Sequence, residues 1–133
     1  MKVNIRIFDC LDDIWIAHRG QLTDDDWARA IGGNFRKPTI SELRRISRNT
    51  RLNKAELTGR ACTIDKIVLL YAGLINLFGG EIVRKDIQKC IKNEPDQETR
   101  LILLALMIAK TSPADIKTQA EQFLGLLVKQ NKE

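Results

Sequence analysis

A chain of 133 residues is long enough for one domain of ordinary size and short for two. Hydrophobic residues make up 44% and charged residues 29%, a globular composition that excludes the apolar-poor, highly charged make-up of disordered chains. Twenty-two Lys and Arg against 17 Asp and Glu give a formal charge of +5, a balance that suits a polyanionic partner.

At the N-terminus, charges at Lys2 and Arg6 interrupt the apolar residues before a signal-peptide core can form, so a soluble, cytoplasmic chain is expected. Residues 3 to 7 alternate as a short strand would. Phe8, Leu11, Ile14 and Trp15 nevertheless continue at helical spacing, and a first helix is expected over 5 to 19. Gly20 ends it. His18 is then an exposed or satisfied side chain near the negative end of the helix dipole. Thr23 is a good N-cap, with Asp26 at the third helical position of a capping box, and it opens a second helix over 24 to 31 that buries Trp27, Ala28 and Ile31. The carboxylates of Asp24, Asp25 and Asp26 suit the positive end of that helix better than a metal ion.

Gly32, Gly33 and Asn34 break the chain, and Phe35 plugs the following turn. Pro38 suits the first position of a third helix, expected over 38 to 48. Ile40, Leu43 and Ile46 or Ser47 face inward there, Ser41, Glu42, Arg45 and Arg48 face outward, and Arg44 falls on the flank. A polar connection from Asn49 to Cys62 holds a short helix at Lys54 to Arg60. Thr63 and Asp65 begin a fourth strong stripe, Ile64, Ile67, Val68, Tyr71, Leu74, Ile75 and Phe78, which Gly79-Gly80 closes. Three more helices are expected over 82 to 92, 96 to 110 and 113 to 130. Within them the longest uncharged apolar run, Leu101 to Ala109, has nine residues where a membrane span needs about 20, so no membrane contact is expected. The fold class is all-α.

The inventory does not favour catalysis. His18 is the one histidine, and no cysteine forms a recognisable nucleophile motif with it. Cys10, Cys62 and Cys90 are odd in number and 52 and 28 residues apart, which gives neither a paired disulfide framework nor a metal knuckle. They are expected to be small buried apolar residues in a reducing compartment. The glycine pairs lack the spacing of a phosphate-binding loop and read as helix stops. Neither enzymatic activity nor a cofactor or metal is expected.

Charge is concentrated. Residues 1 to 35 carry a balance of −2, residues 36 to 66 carry +6, and residues 67 to 133 carry +1. Clustered Arg on one helix and its following loop is what phosphate contact and base reading need, because guanidinium offers planar paired donors.

The stretch Leu22-Thr23-Asp24-Asp25-Asp26-Trp27-Ala28-Arg29-Ala30-Ile31-Gly32, with Phe35 to Leu43 and Thr63 to Ala72, resembles the lambda-repressor-like helix-turn-helix family over about residues 5 to 80. The resemblance implies a DNA-binding part over 1–80, whose third helix lies in a major groove, and a packed C-terminal part over 81–133. Carried over position by position, it makes Lys37, Thr39, Ser41, Glu42 and Arg45 candidate base readers. Arg36, Arg44, Arg48, Asn49 and Arg51 become candidate phosphate contacts, and Glu42 has the alternative of pairing with Arg45. Such modules read two half-sites as dimers. The Leu-rich C-terminal helices, with Leu103, Leu104, Met107, Phe123, Leu124 and Leu127, are the candidate homodimer face. The expectation is thus a double-stranded DNA-binding transcriptional regulator of repressor type, with a regulatory protein partner if its activity is controlled. The alternative is a helical protein-interaction module that uses those same C-terminal helices.

Overall fold

A computed structural model describes residues 2–32, 35–52 and 62–108. Among them the chain forms six α-helices and no strand: α1 Ile5–His18, α2 Asp24–Ile31, α3 Lys37–Arg51, α4 Ile64–Phe78, α5 Gly80–Asn93 and α6 Gln97–Ile108. The short helix expected at 54 to 60 and the last one, at 113 to 130, lie outside the described residues.

The helix starts follow local chemistry. Asn4 caps α1 by accepting from the Arg6 amide at 3.0 Å. The alternation at residues 3 to 7 ends as an isolated antiparallel bridge between Lys2 and Thr63, beside a Val3 N–H to Cys62 C=O bond of 2.9 Å. At the start of α2 the Thr23 amide donates to Asp26 Oδ2 at 2.8 Å. That backbone hydrogen bond above all holds the Asp26 carboxyl below its usual range. Ahead of α6, Asp96 Oδ2 accepts from the Thr99 amide at 2.9 Å and its hydroxyl at 2.7 Å. Gly79 alone separates α4 from α5. Its φ of 90° lies in the left-handed region, so one helix stops and the next begins within one residue. Gly80, expected as part of the stop, begins the next helix instead.

One core runs through all six helices. Trp15 and Trp27, both fully buried, stack with ring centroids 5.0 Å apart, and Phe78 closes on Trp15 at 6.1 Å. α2 lies directly on α4. Trp27 Nε1 donates to the Leu70 carbonyl at 3.2 Å, and Asn76 Nδ2 to the Ala30 carbonyl at 3.0 Å. The approach is close because Gly73 has no side chain: a Cβ there would meet Ile31 Cγ1 at 2.7 Å. Phe35 is half-buried against this core, as its plugging role requires.

α1 and α5 run antiparallel and are joined by three ties in sequence order. Arg6 Nε lies 3.4 Å from Glu94 Oε1, Cys10 and Cys90 form a disulfide, and His18 Nε2 lies 2.6 Å from Asp86 Oδ2. The disulfide corrects the reading of Cys10 and Cys90 as unpaired: antiparallel packing brings their Cα atoms to 6.2 Å, within bonding range, although 80 residues separate them. Cys62 is free and buried.

On α6, Thr99, Ile102, Leu103 and Leu106 are buried at helical spacing. Leu103, 1% exposed, is therefore a core residue and not part of an outer face. Leu104 and Met107 are half-buried, and Phe123, Leu124 and Leu127 lie outside the described residues. No described helix is long and apolar enough to cross a membrane.

Candidate nucleic-acid interface

α3 is amphipathic in the sense its spacing predicts. Ile40, Leu43, Ile46 and Ser47 are buried. Lys37, Ser41, Glu42, Arg45, Arg48 and Arg51 are exposed, as is Arg36 just before the helix, while Thr39 and Asn49 are half-buried. The helix extends one turn past the expected end at residue 48, to Arg51, so that Arg51 is carried on the helix and not on the loop. Ser41, Arg45 and Arg48 fall at i, i+4 and i+7, which aligns them on a single stripe.

Arg44 behaves differently. Its Nε and Nη2 grip Asp12 of α1 at 3.1 and 2.8 Å, and its Nη1 reaches Asp24 of α2 at 2.5 Å. A forked guanidinium held by two carboxylates has its donors committed inside the molecule, so the phosphate contact expected of Arg44 is replaced by a joint between three helices. One turn along, Ser47, 3% exposed, donates to Asp9 Oδ1 of α1. Asp12, Ser41, Arg44, Arg45, Arg48 and Arg51 line a cleft of about 340 Å³ between α1 and α3.

Sequence reasoning missed these partners because each pair is 20 to 38 residues apart. A signal existed: Asp9, Asp12 and Asp13 stand at i, i+3 and i+4, which gives α1 one acidic face to set against a basic helix. The basic helix and this acidic face are thus brought together, and Arg51 favours the ionised forms of Asp9 and Asp13.

No known protein family, curated protein or solved structure matches this chain. The surface is therefore read from its own chemistry.

Two expectations test this account. Arg44→Ala strips the partner from two half-buried carboxylates and should lower the unfolding free energy by about 2 kcal/mol, or roughly 7 °C in melting temperature. Thermal melts followed by circular dichroism would measure it, and a shift under about 2 °C would mean that the joint is not stabilising.

The second concerns pH. Burial above all pushes the Asp9 carboxyl up, against the Ser47 hydrogen bond, and burial followed by Asp9 does the same to Asp13. In the window from the ordinary value of 3.8 up to the raised folded value, the folded protein keeps a proton that the unfolded chain releases, so this contribution makes stability fall as pH rises. Asp26 and Asp96 act oppositely, their contribution being present above 3.8 and lost as pH falls through their lowered values. Urea titrations between pH 4 and 7 should accordingly show a flatter pH dependence for Asp9→Asn than for the wild type. An unchanged slope would rule out the burial penalty at Asp9.

Proposed function

We propose that this protein is a sequence-specific, double-stranded DNA-binding regulator of repressor type that presents α3 to the major groove and acts as a homodimer. The single observation that carries the reading is the outward stripe of Ser41, Arg45 and Arg48, flanked by exposed Arg36 and Lys37, on a helix whose opposite face is buried. Support also comes from the packing of α2 on α3 and of both on the α1 and α4 scaffold, the support a helix-turn-helix unit needs. In this reading Lys37, Thr39, Ser41, Glu42 and Arg45 meet base edges, and Arg36, Arg48, Asn49 and Arg51 meet phosphates. Arg44 fixes the helix and touches no DNA.

A homodimer reads two half-sites about one DNA turn, roughly 34 Å, apart. Regulation of transcription then follows from occupancy of such a site near a promoter.

The test is selection from a random duplex pool across a salt series. Enrichment of a pseudo-palindrome is the expected result, with affinity falling steeply as salt rises. Arg45→Glu with Arg48→Glu should lower affinity at least 100-fold at moderate salt and reduce the salt slope by about 1 through the lost Arg48 contact, while melting within a few degrees of the wild type. Absence of any enriched sequence would overturn the proposal. Capture of a protein partner that survives the double reversal would favour an interaction module in its place.

A further inference from the structure

The Cys10–Cys90 disulfide is not buried beneath the surface. It lies in a cleft of about 290 Å³ between α1 and α5, lined by both cysteines and by Asn93. The two cysteines are unequally placed: Cys10 is 6% exposed, whereas Cys90 is only half-buried. The cleft also carries both signs of charge, Arg6 and Lys89 against Asp9, Asp13 and Glu94. A mixed lining of this kind fits a small zwitterion, whose carboxylates meet the cations and whose ammonium meets the carboxylates, better than it fits a polyanion.

We propose that the Cys10–Cys90 pair is a thiol-exchange site, reduced and re-formed by small zwitterionic peptide thiols and their disulfides, with attack at Cys90 Sγ. The inference stands apart from the DNA-binding reading and uses none of its residues. In the reducing direction a thiolate bonds to Cys90 Sγ, and the Cys10–Cys90 bond breaks. Its electron pair leaves on Cys10 Sγ, which takes a proton from water. A second thiolate attacks the external sulfur of the mixed disulfide and releases Cys90 as a thiolate. Two thiols are thereby oxidised to one small-molecule disulfide while the protein disulfide is reduced. The reverse sequence uses that small-molecule disulfide as oxidant.

Cys62 supplies an internal control. It is fully buried, and burial above all pushes its thiol up to about 12, so it stays protonated and unreactive in the folded protein.

The experiment uses the full chain with oxidised and reduced glutathione as the probes, read by intact mass and peptide mapping. Cys10→Ser should take up one glutathione, on Cys90, at least 10-fold faster than Cys90→Ser takes one up on Cys10, with Cys62 unlabelled in both. The wild type, quenched with acid during partial reduction, should show glutathione on Cys90 and a free thiol at Cys10, which settles the direction of attack even if a variant folds poorly. Equal labelling of the two cysteines, or an adduct trapped on Cys10, would overturn the assignment. So would a wild-type chain that still titrates three thiols after denaturation once it has been equilibrated with oxidised glutathione.

Discussion

Trp27→Ala is expected to lower the unfolding free energy by about 4 kcal/mol, the largest effect of any single substitution proposed for this chain. The indole is fully buried between α2 and α4, stacked on Trp15 with its ring plane 21° from that neighbour's, and its Nε1 donates to the Leu70 carbonyl. Truncation leaves a ring-sized cavity, and α2, only two turns long, has little other apolar surface to hold it: Trp27 and Ala28 are its two buried residues. A drop of about 14 °C in melting temperature follows for a domain of this size. Trp27→Phe keeps much of the ring and gives up the hydrogen bond, so about half that loss is expected. Urea unfolding of both variants checks the pair, and a Trp27→Ala loss under 1 kcal/mol would show that α2 is not anchored through this ring.

Loss of the disulfide comes second. Joining residues 80 apart removes much of the unfolded chain's freedom, an effect of about 4.5 kcal/mol by the chain-entropy relation and about 3 kcal/mol in practice. The neighbouring ties do not compensate: the Arg6 and His18 side chains are 44% and 33% exposed, and polar contacts so open to water contribute little. Cys90→Ser should accordingly melt about 10 °C below the oxidised wild type and be indifferent to reductant, while reductant brings the wild type down to the same value. Identical melting of the wild type with and without reductant would contradict this.

Local signals in the sequence carried the helices. The expected 24 to 31 coincides with Asp24–Ile31, 5 to 19 ends one residue past Ile5–His18, 82 to 92 falls one or two residues inside Gly80–Asn93, and 96 to 110 starts one residue before Gln97–Ile108, its last two residues lying outside the described ones. The Thr23 and Asp26 cap, the inward face of α3 and the stripe of α4 were legible for the same reason: caps and periodicity depend on neighbours within about a turn. Pairings between helices were not. The Arg44 joint, the Cys10–Cys90 bond and the His18–Asp86 contact each depend on how helices distant in sequence come to lie side by side, which no spacing rule encodes. Arg44 shows the cost. The family resemblance made it a candidate phosphate contact, and only the place of Asp12 and Asp24 in space reveals where its charge is spent. Leu103 shows the converse: a uniformly apolar run gives no hint of which side is inward.

The Arg44 joint also bears on how a partner is met. Because one guanidinium ties α3 to α1 and α2 at once, the tilt and rotation of α3 are set before anything docks. Little ordering entropy is then left to be lost on the proposed association with DNA, which would draw on a rigid template and not on folding coupled to contact. The same joint is ionic, with the Arg44 side chain 31% exposed, and concentrated salt loosens it. On the proposed reading, high salt should therefore release DNA in two ways at once, by screening the exposed arginines and by letting the helix that carries them drift from its set angle.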